Sequence, residues 1–477
     1  MSADTLGVAL VSLFGVLTFG VLVPNAMVAL MAILLRLRST PARYAAPLAA
    51  ALRIPVPFVS VHVPAHDEPA HLLIATIDAL VALRYPSYEV IVLDNNTPDP
   101  KVWMPVERHC ALLGPRFRFI HRQGVAGAKA GALDIALDLV DPRTTHVAVV
   151  DADYIVTPDF LNHAVEALGE HGADYVQFPQ AYRHGPQADP VAAELGDYFR
   201  GHAPAANATG SMLLTGTLSV ISIDWLRAVG GWPTDTITED ADLGLNLYAR
   251  GARGAFVNRI VGHGLLPLDF NGLVVQRHRW VAGNMQTLAR GIGDLAWRQG
   301  FPGGLSVLAQ LLAWPTFAAF PAMALVAAAA VRFGGAPSAI WLLVEAVAAA
   351  TLLCAVLATV LEQALMKRQA ETLQVKLALL WTSSLAWLPL MWGRQFVFHR
   401  TPKSGGGRGS LPAYMQWGGF MLFLAAIVLG TTGAPLAGLA LLLPLLGLPA
   451  AAAVDRALIT STERMGADAM SRGDTDL

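Results

Sequence analysis

The 477-residue chain is 54% hydrophobic, only 14% charged, and carries a formal net charge of −2. Soluble domains average about 25% charged residues, so a large part of this chain is expected in the lipid bilayer. Near-neutrality excludes a basic footprint, so nucleic acid is not an expected partner. The two cysteines offer no pairing or zinc-site logic: Cys110 lies in a polar stretch and Cys354 in an apolar one.

The first apolar run covers residues 5–35. It exceeds the ~20 residues that cross a bilayer, no basic residue precedes it, and no clear small-residue cleavage site succeeds it. Arg36, Arg38, Arg43 and Arg53 come directly after it. By the positive-inside rule they place the central domain in the cytosol. Residues 1–36 are therefore expected as an N-terminal transmembrane helix and residues 56–290 as a cytosolic α/β domain.

Within that domain, residues 58–63 form a β-rich run ended by Pro64, and Leu73, Ile77 and Leu80 give residues 68–83 a helical period. Residues 89–93 are a second buried strand, ending in Asp94-Asn95-Asn96. Residues 127–139 read as helix, and residues 146–150 as a third strand, ending in Asp151-Ala152-Asp153. Strand–helix alternation predicts a mainly parallel sheet. Ligands of such sheets bind beyond the carboxyl ends of the strands, where Asp94 and the Asp151/Asp153 pair would gather. No GxGxxG comes after the first strand, which argues against a dinucleotide fold. Two aspartates one residue apart, closing a fully apolar strand, suit a hard cation such as Mg2+ or Mn2+ that keeps open positions for phosphate.

Beyond residue 290 the apolar runs are 305–331, 339–366, 375–398, 414–432 and 434–454. Basic residues flank the third on both sides (Lys367, Arg368 and Lys376; Arg394, Arg400, Lys403 and Arg408). Both flanks cannot be inside if it spans. Residues 375–397, with Trp381, Trp387, Trp392 and Pro389, are therefore expected as an interfacial helix. That leaves four spans in a membrane domain of residues 291–454. Glu345, costly inside a span, is expected to line a polar path. Residues 455–477, rich in Ser, Asp, Arg and Gly, are expected as a disordered cytosolic tail.

Four landmarks occur in order: the Asp94 strand end, Asp151-Ala152-Asp153, Thr238-Glu239-Asp240, and Gln276-Arg277-His278-Arg279-Trp280, which fits Gln-x-x-Arg-Trp. With this spacing the chain resembles membrane-embedded family-2 glycosyltransferases of the cellulose, hyaluronan and chitin synthase type. Asp94-Asn95-Asn96-Thr97, Arg116-Phe117-Arg118-Phe119, Lys129-Ala130-Gly131-Ala132-Leu133 and Val150-Asp151-Ala152-Asp153-Tyr154 are most similar to bacterial β-1,3-glucan and cyclic-glucan synthases.

The resemblance implies a GT-A-type domain, a nucleotide-sugar donor such as UDP-glucose, a glucan acceptor and a Mg2+ or Mn2+ cofactor in an inner or cell membrane. It implies metal ligation by Asp153 with Asp151. Donor contacts would come from Glu68, Asp94, Lys129, Asp151, Gln276, Arg279 and Trp280. Asp240 would be the general base, and Thr215, Gly216, Glu239 and Trp280 would face the acceptor. Thr238, Glu239 and Asp240 also suit a helix start, and Trp280 also suits a membrane anchor. Arg277, His278 and Arg290 are expected on a solvated or headgroup-facing side. Residues 398–410, including Thr401 and Lys403, resemble the gating loop of cellulose synthases, although Arg400 stands where those have valine. The expected activity is inverting, processive synthesis of a β-glucan with export of the chain; alternatives are single-sugar transfer to a lipid acceptor and an inactive export or scaffold subunit.

Overall fold

The structure, a computed structural model, describes residues 56–183, 189–291, 295–335, 337–365, 370–393, 401 and 412–471, with isolated positions before residue 31. The expected N-terminal span, most of the 398–410 loop and Lys403 thus lie outside the described residues.

Three of the strands fall where apolar runs meet strand-ending residues. They are β1 (Phe58–Ala65), β2 (Tyr88–Asn95) and β4 (Thr144–Val149). Val59, Val61 and Val63 are fully buried, as are Val90, Ile91 and Val92, because helices cover both faces of the sheet. Four strands of the sheet were not expected from the sequence, and two of them border the expected strands. One is β3 (Phe117–Arg122), whose alternating Phe, Arg and His residues suit a half-exposed edge. The other is β8 (Ser219–Ser222), which returns antiparallel beside β4. With β6 (Tyr175–Gln177) and β9 (Gly254–Phe256) they complete a seven-stranded sheet of order β3-β2-β1-β4-β8-β6-β9. The fold is GT-A-like, with a mixed, mainly parallel sheet. A three-stranded sheet of β5 (Ile155–Val156), β10 (Gly262–Gly264) and β7 (Ala181–Tyr182) lies beyond the Asp153 turn.

The largest apolar cluster joins this domain to the helical region. It runs from Val191, Leu195 and Phe199 on the Pro190–Ala208 helix through Phe270 and Leu273 to Leu325, Val344 and Leu441. Among the described residues three helices are long and apolar enough to cross a membrane: Ala339–Leu357, Ala413–Thr431 and Pro435–Arg464.

The helical region departs from expectation in four places. Residues 305–331 do not form one span but two shorter helices, Phe301–Leu311 and Ala319–Gly334. Pro315 sits in the break, where it removes a backbone donor and disfavours helix in the preceding residue. Residues 375–397 do not form one surface helix. Glu371–Ala378 and Leu380–Trp392 meet at a bend of 50°, and Trp381 and Trp387 turn into the protein while Trp392 stays exposed.

The described part of the expected disordered tail is helical, since Gly447–Ser471 is continuous. Leu458 is fully buried, Asp455 Oδ1 accepts from the Phe270 N–H at 2.9 Å, and Ser461 Oγ donates to Asp189 Oδ2 at 2.8 Å. Its polar residues cap and tie other helices, so a composition typical of disorder here marks a docking surface. Finally, Glu345 is neutralised rather than lining a path: Arg332 Nε donates to it at 2.9 Å, and Arg332 Nη1 donates to the Thr432 carbonyl at 2.7 Å.

Candidate active site

A cavity of about 1000 Å³ opens at the carboxyl ends of β1, β2 and β4. Its wall includes Glu68, Lys129, Asp151, Asp153, Thr215, Gly216, Glu239, Asp240, Gln276, Arg279, Trp280 and Thr401. The tertiary structure therefore gathers on one surface residues from distant parts of the chain. Asp94 is the exception. It is 2% exposed and does not face the cavity. Its Oδ2 accepts from Thr97 Oγ1 at 2.7 Å, and its Oδ1 lies 2.8 Å from His121 Nδ1. Burial raises its pKa, against the lowering effect of those two hydrogen bonds. Asp94 thus braces the end of β2, while the next residues, Asn95 and Asn96, reach the cavity.

The Asp151-Ala152-Asp153 turn is fixed from four directions. The Asp151 N–H donates to Thr217 Oγ1 at 3.0 Å and Thr76 Oγ1 donates to the Ala152 carbonyl at 2.8 Å. Arg183 donates to the Asp153 carbonyl at 3.2 Å, and the Leu265 N–H donates to Asp153 Oδ2, also at 3.2 Å. Both carboxylates line the cavity. Among the described residues no three His, Cys, Asp or Glu side chains cluster as a metal site. A cation here would take two protein carboxylates and complete its shell from phosphate and water, an arrangement that suits Mg2+ or Mn2+. The donor set fits such an ion.

Lys129 Nζ donates to Asp151 Oδ1 at 2.6 Å and lies 3.5 Å from Glu239 Oε1. Burial alone would disfavour its ammonium, but Asp151, Glu239 and Asp240 outweigh that and hold its pKa above the usual lysine range. The lysine is therefore a permanent cation in the cavity wall. Arg279, on the same wall, is lowered by burial and supported by Glu239, Asp151 and Asp240.

Asp240 sits in the first turn of the Glu239–Ala249 helix, where acidic residues favour the helix N-terminus. Thr238 occupies the N-cap position but makes no side-chain capping bond; instead Asp240 Oδ1 accepts from the Ala241 N–H at 2.8 Å. Desolvation and the neighbouring Glu239 push the Asp240 carboxyl up to about 7, with Lys129 and the Ala241 N–H opposing. Gly216 crosses in front of it at φ +93°, a conformation that favours glycine. A Cβ there would lie 3.0 Å from Asp240 Oδ2 and 3.5 Å from Lys129 Nζ. The absence of a side chain at residue 216 keeps the carboxylate open to the cavity.

Several residues that shape the wall were given no role from the sequence. Fully buried Gln177 donates to the Thr217 carbonyl at 2.9 Å and accepts from the Thr215 N–H at 3.0 Å, and Gln180 donates to the Thr215 carbonyl. These two glutamines hold the Thr215–Thr217 loop in place. Asn96 donates to the Val125 carbonyl at 2.8 Å and accepts from the Val125 N–H at 3.0 Å, pinning the loop that leads to Lys129. The strand-end rule that found Asp94 could have found Asn96 just beyond it; nothing in a single sequence singles out Gln177.

Arg277 corrects another expectation. It is 2% exposed and paired with Glu194, so it faces inward. Arg290 is exposed at the rim and donates to Asp235 at 3.1 Å, and His278 is also exposed, as expected. A second cavity of about 60 Å³ adjoins the first and shares Gln180, Thr215, Thr238, Asp240 and Trp280 with it. Asp240 thus stands between two spaces.

The chain matches the profile "Glycosyl transferase family 2" over residues 60–227 and "Glycosyl transferase family group 2" over residues 146–454, more than half its length. It is 30% identical over 243 residues to a cellulose synthase catalytic subunit (UDP-forming) of Xanthomonas axonopodis pv. citri, an alignment covering 48% of this chain and 32% of that protein. It is 28% identical over 254 residues to glucomannan 4-beta-mannosyltransferase 7 of Arabidopsis thaliana, covering 50% and 45%. The chain thus spans less than half the length of these curated relatives. Its fold is similar to that of the mannosyltransferase PcManGT of Pyrobaculum calidifontis, solved with GDP-Man and Mn2+. The TM-score is 0.53 and the identity 22%, with 80% of this chain and 98% of that one covered. On the profile match across sheet, site and helical region, the chain belongs to glycosyl transferase family group 2.

Proposed function

We propose that the chain is an inverting, processive polysaccharide synthase that transfers glucose from UDP-glucose to a growing β-glucan and translocates the product across the membrane. The observation that carries this reading is the placement of Asp240. Its carboxylate is desolvated, faces the main cavity, and stands across Gly216 from the Lys129–Asp151 pair. Asp240 takes the proton of an acceptor hydroxyl while that oxygen bonds to the anomeric carbon. The bond from that carbon to the diphosphate breaks on the opposite face, so an α-linked donor yields a β-linked product. Lys129 and Arg279 hold fixed positive charge where the diphosphate gathers negative charge. Asp151 and Asp153 would hold Mg2+ or Mn2+, which when bound neutralises phosphate charge. Glu68 and Gln276 would hold the donor, Thr215 and Glu239 would border the acceptor hydroxyl, and Trp280 would offer its face to the acceptor ring.

Membrane placement is supported by the three long apolar helices. An inner-membrane location with a cytosolic catalytic domain rests on the basic residues after the first apolar run. Thr401 lies on the cavity wall, where it would border the donor. The test is to supply the purified full chain in lipid with UDP-glucose, UDP-N-acetylglucosamine or GDP-mannose, plus Mg2+ or Mn2+. Polymer formed from UDP-glucose, with linkage analysis deciding between 1,3 and 1,4 bonds, is the expected result. The curated relative named a 4-beta-mannosyltransferase favours a 4-linkage, and the motif resemblance a 3-linkage. Turnover of GDP-mannose alone would replace the donor, and a single sugar on lipid would replace the polymer.

The glycine at residue 216 gives a separate expectation. Gly216→Ala should lower transfer at least ~10-fold, since it introduces strain at positive φ of order 1–3 kcal/mol and crowds the Asp240 carboxylate. Nucleotide affinity, measured by calorimetry, should change little. Wild-type turnover in this variant would show that the approach to Asp240 does not pass residue 216.

A further inference from the structure

The Gln276–Trp280 helix segment buries a charge that the proposed chemistry does not use. Arg277 is 2% exposed, and its ion-pair partner among the described residues is Glu194, itself 6% exposed, on the Pro190–Ala208 helix. Its Nε and Nη1 have no hydrogen-bond partner among the described residues. Instead the guanidinium lies against two neighbouring indoles, 4.6 Å from the Trp280 ring centre and 4.3 Å from that of Trp314. The two indoles are 5.1 Å apart and tilted to each other, and Tyr198 stacks on Trp314 at 5.6 Å.

A buried ion pair is a weak source of stability, because the cost of desolvating both charges offsets their attraction. The arrangement is better explained by what it holds. A planar cation over an indole face is attracted by the ring's quadrupole, and here Glu194 fixes the cation, so the cation fixes the ring. Trp280 lines both the main cavity and the smaller one beyond Asp240. Its angle therefore sets the surface that an incoming sugar ring meets.

We infer that Arg277, anchored by Glu194, is a positioning residue that sets the Trp280 indole for acceptor binding. This rests on the reading of Trp280 as the acceptor platform. Arg277→Met in the full-length protein should raise the KM for short β-glucan oligosaccharides about 10-fold or more while the KM for UDP-glucose stays within about twofold. Arg277→Lys, which keeps the charge but loses the planar stack, should give an intermediate acceptor KM.

Because Arg277→Met strands the Glu194 carboxylate and could impair folding, the double variant Glu194→Met with Arg277→Met supplies the control. It removes both buried charges and should restore thermal stability, yet keep the raised acceptor KM. If the double variant also regains the wild-type acceptor KM, the pair is structural only and the inference is overturned. Trp280→Leu distinguishes the two levels. An unchanged acceptor KM in Trp280→Leu removes the platform reading itself, whereas a raised one, with Arg277→Met unaffected, removes only the role given to Arg277.

Discussion

Asp240→Asn should reduce glucosyl transfer by ~10²–10⁴-fold, the usual cost of removing a positioned general base, with UDP affinity nearly unchanged. The amide keeps the shape of the carboxylate and can still accept from the Ala241 N–H at one oxygen, so the loss is chemical rather than structural. The pH dependence provides a second reading of the same group. Its carboxyl is pushed up to about 7 by desolvation and by Glu239, and only the ionised form can take a proton. The kcat/KM of the wild type should therefore fall as pH drops below about 7 and level off above it. Stability should move the other way for this residue. A folded pKa above the unfolded value means its contribution is present in acid and lost as pH rises through about 7. Near-wild-type turnover in Asp240→Asn, or a kcat/KM profile flat from about pH 5 to 8, would remove Asp240 from the proton transfer.

Asp153→Ala should abolish transfer and, more tellingly, abolish the dependence of UDP binding on Mg2+ or Mn2+. The second readout does not need a working enzyme, since calorimetry with and without the cation measures it directly. The Leu265 N–H would lose its acceptor, but the Asp151 N–H, the Ala152 carbonyl and the backbone carbonyl of residue 153 would keep their partners. The turn should therefore persist and the variant should fold. A chelator should reproduce the loss in the wild type, and Ca2+ should restore it poorly, being larger and less demanding in geometry. UDP binding in Asp153→Ala that is still strengthened by Mg2+ would mean the cation is held elsewhere.

Three central strands of the sheet and the acidic residues that end two of them could be read from the amino-acid order alone, and the GT-A type from the family resemblance. Apolar runs ending in acidic residues mark strands whose carboxyl ends meet, because a parallel strand buried on both faces tolerates polar side chains only where it stops. Asp151 and Asp153 were legible for that reason, and Asp240 through its spacing to Gln276, Arg279 and Trp280. A single sequence leaves undecided whether a polar residue faces outward or inward, since that depends on a partner remote in the chain. Arg277 reads as a solvated cation until Glu194, Trp280 and Trp314 are packed around it. Asp94 reads as a ligand-facing carboxylate until Thr97 and His121 are found on its two oxygens.

The polar stretch after Val454 obeys the same logic. It takes the folded chain to show that Asp455 and Ser461 serve the Phe270 and Pro190 helix starts, because a helix end can be satisfied by any acceptor the fold brings to it. Apolar length was an equally incomplete guide. Residues 305–331 have the hydropathy of a span, but Pro315 divides them, and the bend near Leu379 divides the basic-flanked run of residues 375–397. Composition states how much of the chain can leave water. Backbone hydrogen bonding, interrupted at a proline or repaired by a neighbouring helix, decides where it crosses.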